Sequence, residues 1–129
     1  MYRYSLTELK NYVNDDVYYE KTNQALTFYK TDTAIAKSVE INEIINIPTD
    51  MGATTSKIYW KADKNITVQS SIDGINYSMC ENGKSLPNYN KLAPITTNNV
   101  FLRITMSTTD ASKYLPKLSS VKLDFYSSI

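Results

Sequence analysis

The stretch Ile66 to Met79, ITVQSSIDGINYSM, alternates apolar and polar residues on both sides of a turn dipeptide. Ile66, Val68, Ser70 and Ile72 take one parity, and Thr67, Gln69 and Ser71 take the other. Successive side chains of a strand leave on opposite faces, so this parity sets an apolar row on a core and a hydroxyl and amide row in water. Asp73-Gly74 supplies the positive φ of a tight hairpin turn, after which Ile75, Tyr77 and Met79 resume the alternation. The spacing predicts a β-hairpin.

Other segments repeat the pattern. Val100, Leu102, Ile104 and Met106 alternate with Phe101, Arg103 and Thr105, and Val121, Leu123 and Phe125 with Lys122, Asp124 and Tyr126. Val39, Ile41, Ile45 and Ile47 share a parity against Glu40, Asn42 and Asn46, with Ile44 breaking the rhythm as at a bulge, and Pro48 ending the strand. Shorter strands are expected over 1–6, 17–20, 25–29 and 57–62, where Ile58 and Trp60 share a face. Ser5-Leu6-Thr7-Glu8 has the form of a capping box for a single helical turn. Asp50 to Ser56, Glu81 to Pro94 and Ser107 to Lys117 read as loops. About eight short strands between turn signals, without a sustained helical period, predict an all-β antiparallel sandwich of jelly-roll type, one domain over residues 1–129.

Composition narrows the chemistry. The formal net charge is +1 and the charges are spread along the chain, so the dense basic patch of a nucleic-acid binder is missing. No histidine is present, which removes Ser-His-Asp and Cys-His catalysis and every histidine-bearing zinc site. Cys80 is the single cysteine, so an intrachain disulfide is excluded, and a small buried apolar role is expected. The N-terminus MYRYSLTELK lacks the apolar core of a secretory signal, and no run approaches the roughly 20 apolar residues that cross a bilayer. If the protein works outside the cell that makes it, it must leave by another route, such as lysis or assembly into a particle.

The carboxyl-terminal half carries a resemblance. Ser71-Ile72-Asp73-Gly74-Ile75-Asn76-Tyr77 matches S-x-D-G-x-x-[WY], Phe101-Leu102-Arg103-Ile104 matches a later strand ending in "Ri", and Pro116 to Leu123 follows. This order resembles the final strands of discoidin-like, galactose-binding-like jelly rolls. In length and in its Tyr/Asn/Lys-rich character the chain is also similar to prophage proteins of the YomS type, which are similar to the carboxyl-terminal domain of the prophage-exported protein XepA. That resemblance implies a C2-like or jelly-roll sandwich, self-assembly, and a phage-derived role in lysis at the cell membrane.

The candidate contact residues lie in loops. Tyr89 and Tyr114 sit in polar segments where folding gives little reason for a large ring, and Lys84, Lys91, Lys113 and Lys117 fall in the two late loops. Should those loops meet at one end of the sandwich, they form a basic tip for anionic lipid, each charge contributing about 1 kcal/mol near such a surface. Calcium ligation is disfavoured because the loop aspartates are scattered, and a two-carboxylate hydrolase is the minor reading. The expected function is therefore a non-enzymatic module without cofactor that self-associates and touches the bacterial envelope. A virion or tail-appendage interaction domain and a module binding cell-wall glycan are the alternatives.

Overall fold

The computed structural model describes residues 2–6, 9–47, 53–63, 65–87 and 99–127. They form β1 (Tyr2–Leu6), β2 (Val17–Glu20), β3 (Ala25–Phe28), β4 (Lys37–Asn46), β5 (Ala53–Ala62), β6 (Ile66–Ser71), β7 (Ser78–Met79), β8 (Asn99–Thr108) and β9 (Lys117–Ser127). A short 3₁₀ turn covers Leu9–Tyr12, following the expected helical turn, whose Thr7 and Glu8 lie outside the described residues. The strands make two antiparallel sheets, one of β1, β2, β3, β5 and β9 and the other in the order β4-β8-β6-β7. This is the all-β sandwich that the alternation predicts.

Each sheet is built on one long strand. In β8 every second residue is buried, and Val100, Leu102, Ile104 and Met106 enter the core between the sheets. Strand β9 contributes Leu118, Val121, Leu123 and Phe125 to the same core. It pairs with β5 along one edge and with β1 and β3 in succession along the other. All four residues of β3 are buried, since Thr27 also lies under cover and donates to the Pro116 carbonyl at 2.8 Å. That double burial explains why Ala25 to Phe28 shows no clean alternation. Trp60 packs against the core from the same face of β5 as Ile58, and Cys80 is buried, which pushes its thiol pKa up.

Three expectations are corrected. Strand β4 pairs with β8 without a shift from Lys37↔Thr108 to Asn46↔Asn99, so there is no bulge at Ile44; that side chain points outward. Glu43 takes the inward parity and accepts a bond from the Tyr4 hydroxyl at 3.4 Å, and burial together with this carboxylate pushes the Tyr4 pKa up to about 12. Strand β5 begins at Ala53, inside the expected loop, and its register with β9 shifts near both ends. The hairpin of β6 and β7 pairs Gln69↔Met79 and Ser70↔Ser78, leaving a wide loop where a two-residue turn was expected.

Asp124 stands on the outer, polar face of β9 yet is fully covered. Arg3, directly opposite on β1, closes over it with two bonds, Nε to Oδ1 at 2.6 Å and Nη2 to Oδ2 at 2.8 Å. The Tyr126 hydroxyl adds a third at 3.3 Å. The bonds from Arg3 hold the Asp124 carboxyl below the usual carboxylate range, outweighing its desolvation. A depressed folded-state pKa stabilises fully above the unfolded-state value, near pH 4, and its contribution is lost as pH falls through the folded value. Urea midpoints measured against pH are therefore expected to drop below about pH 4. The Asp124→Asn variant should start lower at neutral pH and lose less stability on acidification, because it has no carboxylate there to protonate.

Candidate functional site

The outer face of the four-stranded sheet is the surface on which the sequence places residues that the core does not use. Its register sets Asn42, Arg103, Gln69 and Met79 in one row and Ile44, Phe101 and Ser71 in the next. The guanidinium of Arg103 lies over the Tyr77 ring, 3.8 Å from its centroid. Its Nε is 3.2 Å from Glu40 Oε1, an ion pair without an aligned hydrogen bond. Arg103 is thus clamped between a ring and a carboxylate.

The loop 72–76 folds back on this face. Asp73 organises it: Oδ1 accepts from Ile75 N–H and Asn76 N–H, both at 2.8 Å, and from the Ser71 hydroxyl at 2.8 Å, while Oδ2 accepts from the Asn76 amide at 2.9 Å. Ser71 Oγ in turn accepts from Gly74 N–H at 2.9 Å. These donors, the two main-chain ones foremost, hold the Asp73 carboxyl far below the usual carboxylate range. Gly74 has φ 77°, where an L side chain is strained, and a Cβ placed there would crowd Phe101 Cε1 at 3.2 Å, so glycine is favoured both by its conformation and by the approach of the loop to the ring.

The consequence is an ordered apolar rim. Ile75 is 80% exposed, Ile44 62%, Met79 57% and Ile72 45%. The alternation expected for Ile72, Ile75 and Met79 placed them toward the core; the wider loop turns them to solvent instead. The exposed rim was legible only if the loop length was known, because a loop longer by an odd number of residues reverses the parity of everything after it.

Of the loop residues singled out in the sequence, Lys84, Lys113, Tyr114 and Lys117 lie among the described ones. Lys113 and Tyr114 follow the carboxyl-terminal end of β8, about 30 Å along a ten-residue strand from Asn99. Lys113 is exposed beside Asp110. Tyr114 donates its N–H to the Asp110 carbonyl at 2.9 Å, and burial with Asp63 nearby pushes its phenol up. Lys117 is held to Glu20 at 3.6 Å, and its main chain exchanges bonds with Asp63. Lys84 lies on neither end: its carbonyl accepts from Ile58 N–H at 3.0 Å along the edge of β5. Tyr89 and Lys91 lie outside the described residues.

Two clefts carry mixed charge. One of about 520 Å³ is lined by Lys57, Glu81, Lys84 and Leu86, and one of about 280 Å³ by Asn23, Lys61, Asp63 and Lys117. Among the described residues no group of three or more Cys, Asp and Glu is arranged to hold a metal ion. No family model matches the chain, and no curated protein or solved structure matches it either.

The loop geometry yields a paired expectation. Gly74→Ala should lower the unfolding free energy by about 1–2 kcal/mol, from the left-handed conformation forced on a Cβ, with the Phe101 contact adding to it. Ile75→Ser, at a position outside the core, should leave stability within about 0.5 kcal/mol of the parent. Chemical denaturation of the two variants checks both.

Proposed function

We propose that this protein is a non-catalytic binding module of phage origin that assembles with itself and contacts the bacterial envelope during lysis. In this reading the contact is made by the apolar rim of the 72–76 loop. The exposure of Ile75 and Ile72 on a loop already fixed by Asp73 is the observation that carries it. A side chain presented on an ordered loop inserts without a further ordering cost, so its burial translates into affinity with little loss. The phage setting is supported by the resemblance in length and composition described above. The absence of catalysis is supported by how the acids are engaged: Asp73 by its own loop, Asp124 by Arg3, Glu40 by Arg103, Glu20 by Lys117.

The rim and the lysines then have separate roles. Ile72 and Ile75 supply the insertion, and Lys113 and Lys117, beyond the far end of β8, do not share that surface. A sugar-stacking role for Tyr77 is disfavoured because Arg103 already covers its ring.

Co-sedimentation with vesicles tests the reading. Full burial of an isoleucine contributes about 1.5–3 kcal/mol, so Ile72→Ser with Ile75→Ser should weaken partition into phosphatidylcholine vesicles by at least tenfold. The pair Lys113→Glu with Lys117→Glu should leave it unchanged. Failure of the parent protein to pellet with either phosphatidylcholine or phosphatidylglycerol vesicles would refute envelope contact through lipid.

A further inference from the structure

We propose that the open edge of β4 is the self-association interface, where a second copy adds its own β4 antiparallel with Asn42 of each chain on the two-fold axis. The direction of the main-chain groups on this edge follows from the ladder. Cys80 N–H donates to the Val68 carbonyl at 2.8 Å, so Val68 turns its main chain toward β7 and away from β8. Ser107 N–H donates to the Asn65 carbonyl at 3.2 Å, so the odd-numbered residues of β8 face β6 and the even-numbered ones face β4. Ile104 is opposite Ile41 in a register without breaks, so the odd-numbered residues of β4 bond to β8. The N–H and C=O groups of Ser38, Glu40, Asn42, Ile44 and Asn46 therefore point out of the sheet.

Two further observations agree with that assignment. The Tyr2 hydroxyl, coming from the other sheet, reaches the Asn46 carbonyl at 3.2 Å, as it can only if that oxygen faces the edge. Among the described residues no strand lies on this side of β4.

The treatment of the other long edge is the opposite. On β5 the Ile58 N–H donates to Lys84 at 3.0 Å and the Ile58 carbonyl accepts from Gly83 at 2.7 Å. Asn82 does the same for Trp60 with its side chain, Oδ1 accepting from the N–H at 3.0 Å and the amide donating to the carbonyl at 2.7 Å. An open strand edge is a template for pairing, and proteins usually cover or interrupt it. Here one edge is covered in detail, while ten unbulged residues without proline stand open on the other.

The occupant is argued from self-complementarity. A two-fold axis normal to the sheet pairs residues of equal parity, so it must pass through one residue of β4. Centring on Glu40 or Glu43 sets two carboxylates face to face. Centring on Asn42 pairs Glu40 with Ile44 of the second copy, and Ser38 with Asn46, whose carbonyl also receives the Tyr2 hydroxyl, and places no like charges directly opposite. On the inner face Val39 meets Ile45. The exposed Ile44 then gains a neighbour across the new pair, on the same face as its existing partner Phe101.

Light scattering on the full chain across a dilution series, joined to cysteine cross-linking, tests this. The expected mass is that of two chains. Asn42→Pro, which removes an N–H that β8 does not use, should halve it while a parent-like near-ultraviolet circular dichroism spectrum shows the fold intact. Asn42→Lys keeps the N–H, sets two lysines opposite each other, carries the same expectation and decides the matter if proline perturbs the strand. Asn42→Cys should form a covalent dimer on mild oxidation, since directly opposed Cα atoms about 5.5 Å apart suit a disulfide, whereas Ile44→Cys should not. A parent protein of one chain at every concentration overturns the proposal, as does a two-chain mass that neither Asn42 variant lowers. The inference rests on the self-association half of the function proposed above and not on its envelope half. Loss of the dimer by Asn42→Lys with vesicle binding retained separates the two.

Discussion

Strand β9 is bonded along both edges, and the sandwich depends on that. Its outer groups are met by β5 on one side and by β1 and β3 on the other, so the second and the 125th residues of the chain are direct neighbours, Tyr2 opposite Phe125. Unpaired main-chain groups in a covered strand are costly, and β9 carries buried side chains on its inner face and a buried carboxylate on its outer one. The five-stranded sheet is therefore complete only when both ends of the chain are in place. Contacts of such sequence separation must close long loops before they gain anything, which favours slow, cooperative folding over local assembly.

The Arg3–Asp124 pair follows from this arrangement. Asp124 sits between Arg3 on β1 and Lys57 on β5 in the cross-strand register, and its carboxylate is engaged from the β1 side. Only Arg3 reaches it with two parallel bonds, the geometry in which a guanidinium and a carboxylate compensate each other's desolvation best. The pair thus ties the first strand to the last on the outside of the sheet, where no apolar core would do so.

What the sequence disclosed follows a physical line. Strands with one buried face, β8 and the later part of β9, were legible because water and core impose a period of two. Strand β3 was legible only through its flanking turns, because burial on both faces erases the period. Ile44 looked like a break in register because a lone isoleucine on a polar face is read most simply as a shifted ladder; the ladder is unbroken and the residue is on the surface. The hairpin was recognised and its loop was not: Asp73-Gly74 signals a two-residue turn, yet Ser71 and Asn76 supply the donors that let the aspartate hold a wider one. The burial of Asp124 had no local signal at all, since it depends on Arg3 from the far end of the chain. The place of Lys84 had no local signal either, since it is set by main-chain bonding to Ile58 on the edge of β5.

The two exposed features on the four-stranded sheet differ in what they ask of the fold. The rim of Ile72, Ile75 and Met79 gives the core nothing, and apolar surface left in water forgoes about 25 cal/mol for each Å² that burial would have gained. The loop beneath it is nevertheless fixed by more bonds than its own turn requires, and Gly74 lets it press on Phe101. Order without burial serves folding poorly and serves recognition well, because the cost of arranging the side chains is met before a partner arrives. The edge of β4 obeys the same logic in the main chain: its outward groups are held straight by an unbroken pairing with β8, and among the described residues only the Tyr2 hydroxyl, at the Asn46 carbonyl, reaches any of them. A sandwich that shields β5 with a borrowed segment and leaves β4 straight and open is asymmetric in the one property that decides where another strand can add.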